Sequence, residues 1–218
     1  MKKIFFTLVI ACFTLTMVNA QEAEIVESKT IFSKWQARFR VIAVMPNESA
    51  KIETIGGDVS IDNAFVPELD FTYFFTENWA AELILATTKH DVEAVSTVVG
   101  DIKLGDVWLL PPTLTMQYHF NGELLRPYLG AGINYTLFYN ADEGPVADDV
   151  DYDNALGFAF QLGCDIDLNE KWFINLDAKY LLLNTDVTVN ATTALDATVG
   201  AEVDINPFIA GVGIGMRF

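Results

Sequence analysis

The chain has 218 residues, 51% hydrophobic and 20% charged, and its 30 Asp and Glu against 13 Lys and Arg leave a formal charge of −17. That acid excess excludes nucleic acid as a partner, because phosphates need a basic surface; the apolar content excludes a disordered acidic chain. Beyond the N-terminus no apolar run reaches about 18 residues, so spanning helices are excluded too, and a β-rich soluble domain or a transmembrane barrel remains.

Residues 1–20 read as a cleaved signal peptide: Met1-Lys2-Lys3 is basic, 4–18 are apolar, and Val18-Asn19-Ala20 supplies the small-residue cleavage pattern. The apolar stretch ahead of Cys12 is too short to favour lipidation there. Residues 21–34 are polar and acidic and read as an N-terminal periplasmic extension, followed by a barrel over 35–218. Cleavage leaves Cys164 as the one cysteine, so the exported chain forms no internal disulfide and needs another source of stability. A closed barrel, whose backbone hydrogen bonds are all made between strands, is such a source.

From Trp35 onward the sequence alternates with period two. The first run sets Ala37, Phe39, Val41 and Ala43 against Gln36, Arg38, Arg40, Ile42 and Val44. The second opposes Leu69, Phe71, Tyr73 and Phe75 to Glu68, Asp70, Thr72 and Phe74, and the third opposes Trp79, Ala81, Leu83 and Leu85 to Ala80, Glu82, Ile84 and Ala86. Pro111-Pro112 predicts a break before the fourth run, which has Gln117 and His119 on its polar face and ends at the Asn121-Gly122 hairpin signal. Runs five to eight follow over 129–138, 155–166, 173–182 and 208–218. The predicted fold is therefore all-β: an eight-stranded, up-and-down antiparallel transmembrane barrel. Its connections after Phe75, Phe120 and Asp167 are short periplasmic turns, while 47–67, 89–105, 140–154 and 183–204 are long extracellular loops.

Which face points outward separates a soluble barrel from a membrane one. Seven glycines in three strands lie on the polar faces with charges of both signs, which suits a narrow interior where ions pair. The opposite faces carry no charge and are crowded with Leu, Phe and Ile. Phe75, Trp79, Tyr118, Phe120, Trp172 and Phe218 cluster at the short-turn ends, as an interfacial girdle does. A soluble lipocalin-like barrel would expose an apolar belt to water, and the membrane barrel is the better reading.

The stretches Asn63-Ala64-Phe65-Val66-Pro67-Glu68-Leu69-Asp70-Phe71-Thr72-Tyr73, Leu110-Pro111-Pro112-Thr113, Gln117-Tyr118-His119-Phe120 and, most specifically, Arg126-Pro127-Tyr128-Leu129-Gly130-Ala131-Gly132-Ile133-Asn134-Tyr135 resemble the OmpW family of small outer-membrane barrels across essentially all of the mature chain. The resemblance implies an eight-stranded barrel in the bacterial outer membrane, associated with passage of small hydrophobic molecules. The ending Gly213-Ile214-Gly215-Met216-Arg217-Phe218 is a general outer-membrane signal, with Phe218 as the aromatic read by the barrel-assembly machinery.

Strand direction sorts the interior by depth. Near the short turns lies a polar floor of Arg38, Arg40, Glu82, Gln117, His119, Asp165, Asp177 and Arg217. Towards the long loops lies an apolar cup, with Ile42, Val44, Ile84, Ala86, Phe138, Leu181 and Ile209 as candidate ligand-binding residues. Ile84 and Lys179 fall at the junction and are the expected constriction. Phe74, Tyr128 and Phe173 depart from the pattern, as do Glu68 and Asp70. Because eight strands leave little room for a water channel, a hydrophobic molecule stopped at the constriction would leave sideways into the bilayer. The alternative is a surface receptor or structural barrel that acts through its loops over an inert, packed lumen.

No enzyme is expected. His90, Asp91 and Ser96 do not by their spacing make a catalytic triad, and His119 reads as a structural partner of Gln117 or Glu82. Neither a metal nor a cofactor is called for. Asp149-Val150-Asp151-Tyr152-Asp153 imitates the start of a calcium loop, but Asn154 stands where glycine is needed and Phe160 where the closing glutamate would be. The expected partners are outer-membrane lipid and lipopolysaccharide, the barrel-assembly machinery and small hydrophobic molecules.

Overall fold

The computed structural model of the protein describes residues 33–53 and 55–218; the predicted signal peptide and most of the predicted extension lie outside the described residues. The first strands are β1 (Trp35–Met45), β2 (Ser49–Ile52), β3 (Asp58–Ile61), β4 (Ala64–Phe74), β5 (Trp79–Ala86), β6 (Thr88–Val95), β7 (Ile102–Leu110) and β8 (Thr113–His119). There follow β9 (Leu125–Glu143), β10 (Asp149–Tyr152), β11 (Ala155–Asp167), β12 (Trp172–Leu182), β13 (Asn184–Ala191), β14 (Ala197–Asp204) and β15 (Phe208–Arg217), with one helical turn at Thr192–Leu195.

Eight of these strands close a ring. β1 pairs with β4, and the antiparallel order continues through β5, β8, β9, β11 and β12 to β15, which pairs back onto β1 from Gln36↔Arg217 to Met45↔Phe208. Closure pairs every barrel strand with a neighbour on each side and leaves no free strand edge. Along the ring the exposed residues are the predicted apolar faces, for example Phe39, Leu83, Ile133 and Phe160. At the short-turn end the rings of Trp35, Tyr73 and Phe75 touch in series at 4.8 and 5.4 Å between centroids, and Trp79, Tyr118 and Phe120 do so at 5.1 Å each. The short turns are tied by side chains, with Thr76 Oγ1 accepting from Trp79 N–H and Asn169 Oδ1 from Lys171 and Trp172 N–H.

The stretches expected to be long loops are largely strand. β3, β6 and β7 add to the outer half of β9, and β10, β13, β14 and β2 form a second sheet. The reason is that period-two alternation continues beyond the membrane. Asp58-Val59-Ser60-Ile61 and Asp186-Val187-Thr188-Val189 each turn their apolar residues inward and their polar ones to water. The barrel wall thus continues outward as two sheets whose inner faces enlarge the cup.

Candidate functional site: an apolar cup on an ionic floor

The floor is a continuous set of ion pairs and amide bridges. Arg38 meets Glu82 at 2.6 Å, Asp70 at 3.1 Å and Asp165 at 3.4 Å; Arg40 meets Asp70 at 2.7 Å, Glu68 at 2.8 Å, and Glu82 and Asp177 at 3.2 Å each. Lys179 closes the top of the set through Asp177 at 2.6 Å and Glu68 at 2.9 Å. Gln117 and Gln161 donate amide hydrogens to Glu82, and Gln161 also reaches Asp177 at 2.8 Å. His119 Nε2 lies 2.9 Å from Gln117 Oε1. Five buried carboxylates therefore surround three buried cations. Arg217 belongs elsewhere: it pairs with Asp167 at 2.6 Å, towards the short-turn end.

The aromatic residues that broke the predicted pattern support this floor. Arg38 lies over the rings of Tyr128 and Phe173 at 5.3 and 5.6 Å, and Phe173 also carries Arg217 at 4.5 Å. The Tyr128 hydroxyl donates to Asp177 at 2.7 Å. Each ring needs a bare backbone opposite it. A Cβ on Gly163 would lie 2.3 Å from the Tyr128 ring, and one on Gly215 would lie 2.2 Å from the Phe173 ring. Phe74 packs on His119, with ring centroids 4.8 Å apart.

Above the floor lies an apolar cavity enclosing about 1510 Å³ of empty space, its open mouth included. All seven predicted cup residues line it: Ile42, Val44, Ile84, Ala86, Phe138, Leu181 and Ile209. Ile84 and Lys179, the expected constriction, are in its wall as well, and Glu68 joins them. Most of the wall comes from the stretches expected to be long loops, including Val59, Val92, Val187, Val189, Ala201 and Val203. Phe138 and Tyr152 stack across the gap between the two outer sheets, 5.5 Å apart and 13° from parallel.

One side of the cavity coincides with a break in the strand ladder. The β5–β8 ladder ends at Ile84↔Thr113 and the β6–β7 ladder begins at Thr88↔Leu109 in the same register. Leu85, Ala86 and Thr87 thus stand opposite Pro112, Pro111 and Leu110 without ladder pairing. Proline supplies the cause, since neither Pro111 nor Pro112 has an N–H to donate. From the outside Thr87 Oγ1 donates to Leu109 O at 3.0 Å and touches the Tyr139 hydroxyl at 2.6 Å. Ala86 and Pro111 both face the cavity.

Other sequence candidates resolve individually. His90 is buried in the cavity wall, its Nδ1 at 2.8 Å from Asp62 O and its Nε2 at 3.1 Å from Thr88 Oγ1, whereas Asp91 and Ser96 are exposed; the three do not converge. The calcium-like stretch is strand β10, so Asp149 and Asp151 point outward instead of converging. Among the described residues no group of three or more His, Cys, Asp or Glu is arranged to hold a metal ion. Glu68, Asp70, Tyr128 and Gln161 complete the floor, although the strand patterning does not assign them to it. The signal for Glu68 and Asp70 was charge balance, since Arg40 and Lys179 could not be buried unpaired.

An apolar belt on the outside, a sealed ionic base and a cavity that opens outward together define a small outer-membrane β-barrel. The chain belongs to the OmpW family, whose profile matches residues 33–218. It is 42% identical over 188 residues to the uncharacterized outer-membrane protein y4mB of Sinorhizobium fredii, covering 85% of this chain and 80% of that one. It is 30% identical over 197 residues to the dibenzothiophene metabolism operon protein DoxH of a Pseudomonas species, covering 85% and 89%. Among solved structures, the outer membrane protein OprG of Pseudomonas aeruginosa is similar with a TM-score of 0.79 at 29% identity, covering 85% and 96%.

Proposed function

We propose that the barrel is a non-catalytic conduit for small hydrophobic molecules, which enter the apolar cup from outside and leave sideways into the outer membrane. The carrying observation is the cavity's shape. It is blind below, where the ionic floor blocks the axis, and it is bordered at one side by the unpaired stretch at Ala86 and Pro111. An apolar solute gains nothing by crossing the floor, because stripping water or partners from those charges costs several kcal/mol per ion. A relative named for dibenzothiophene metabolism supports a hydrophobic cargo. Export would follow removal of residues 1–20, so N-terminal sequencing of the outer-membrane form should begin at Gln21. Lipid and lipopolysaccharide around the belt, and the assembly machinery acting on the last strand, would be its partners.

The test uses two changes to the cavity. Ile84→Lys puts an ammonium in the wall and should abolish barrel-dependent uptake of a small hydrocarbon, while heat-modifiable gel migration still reports a folded barrel. Ala86→Cys/Pro111→Cys, in a Cys164→Ala background, should close the side opening when oxidised and restore uptake when reduced. Uptake unchanged by both would leave the cup as packing and return the function to the surface.

A further inference from the structure

We infer that the conduit selects by charge, admitting hydrophobic molecules with uncharged or cationic heads and rejecting hydrophobic anions such as carboxylates. This inference rests on the transport reading above and adds a substrate class to it. Two independent observations carry it, one outside the cup and one within.

Outside, the segments 46–67, 87–112, 138–154 and 184–206 contain 18 Asp and Glu but three Lys and no Arg. Each lysine is already paired: Lys51 with Glu202 at 4.0 Å, Lys89 with Asp106 at 2.8 Å and Lys103 with Glu93 at 3.6 Å. The mouth is thus ringed by uncompensated negative charge. A single-sign ring around a low-dielectric cavity depletes ions of its own sign and concentrates the opposite one.

Inside, the wall offers acceptors and has few donors to spare. Lys179 is the one ammonium in the wall among the described residues, and Glu68 and Asp177 already hold it. The wall's threonine hydroxyls donate within the wall: Thr113 to Pro111 O, Thr136 to Asn134 Oδ1 and Thr185 to Asp153 O. At His90 the carbonyl of Asp62 requires a proton on Nδ1, and in the neutral ring Nε2 then accepts from Thr88. Apart from Tyr152 at the seam between the sheets, a carboxylate entering the cup would meet lone pairs. An alcohol or an ammonium brings its own hydrogens to those same oxygens and to Glu68. An unpaired anion there would carry its full desolvation cost.

The experiment compares uptake of 1-octanol, octylamine and octanoate, near neutral pH, by cells with and without the barrel. Octanol and octylamine should enter faster with the barrel, and octanoate should not. Neutralising one segment of the ring with Asp142→Asn, Glu143→Gln, Asp149→Asn, Asp151→Asn and Asp153→Asn should raise octanoate entry roughly threefold or more, lower octylamine entry and leave octanol unchanged. High salt should shift wild-type cells the same way, and this arm decides the matter if the variant fails to fold. Octanoate entering the wild type as fast as octanol overturns the selectivity and leaves the conduit standing. Octanol entering no faster than in cells without the barrel overturns both.

Discussion

Floor and cup share strands, alternation and inward direction, yet they differ in chemistry within two residues. On β1 the inward series runs Arg38, Arg40, Ile42, Val44; on β12 it runs Asn175, Asp177, Lys179, Leu181. The floor is specific, because every charge in it is held by a particular partner and losing one strands another. The cup is permissive, because its wall presents apolar surface to empty space and no single side chain anchors the rest. A barrel can therefore keep a rigid seal beside an adaptable cavity without changing its backbone.

The largest effect should come from removing a floor cation. Arg40 touches four carboxylates, and five carboxylates already face three cations. Arg40→Leu should cost about 3–5 kcal/mol or prevent folding altogether, read by urea titration of the barrel in lipid. Glu82→Ala should cost less than Arg40→Leu, since it relieves part of the anionic surplus. It should still cost more than Glu143→Ala on the exposed outer segment, which should stay within about 0.5 kcal/mol. Equal losses for Arg40→Leu and Glu143→Ala would erase the distinction between the floor and the outer segments.

A smaller effect should come from the floor's packing. Gly163→Ala drives a Cβ into the Tyr128 ring and should cost about 1–3 kcal/mol. The same change in a Tyr128→Leu background should cost distinctly less, because the ring that it strikes is gone. An identical penalty in both backgrounds would assign the loss to the strand backbone instead of to the ring.

Ring closure, strand facing and the split between floor and cup were legible from period-two patterning, because one residue of slip would have turned charges into lipid. Two things were not. The outer strands read as loops because they are short and Asp, Ser, Thr and Gly recur among their apolar residues. Their alternation, as in Val187 and Val189 between Asp186, Thr188 and Asn190, was the signal that composition hid. The second was the pairing of Tyr128 with Gly163 and of Phe173 with Gly215. Those partners stand directly opposite each other on neighbouring strands, β9 with β11 and β12 with β15, at sequence separations that no local pattern encodes. Arg217 shows the same limit, since its depth was right but its partner, Asp167, depends on the register of three strands.

The smallest effect lies in the cup and tests how dry it is. Tyr152 stacks on Phe138 at the seam of the outer sheets, and burial, reinforced by Asp106, pushes its hydroxyl up from 10.0 to about 12. Below about pH 10 the hydroxyl is protonated in both the folded and unfolded chains, so Tyr152 adds no pH dependence to stability. Between about 10 and 12 the unfolded chain releases this proton and the folded one retains it. The folded state then loses stability as pH rises through that window. Tyr152→Phe has no proton to release and should flatten this part of the stability curve while keeping the stack. The matching direct measurement is the tyrosinate absorbance of the folded barrel. Subtracting the Tyr152→Phe titration from that of the wild type should leave one hydroxyl with a midpoint near 12. A midpoint near 10 would mean that water reaches the seam, and the cup would then be open on two sides instead of one.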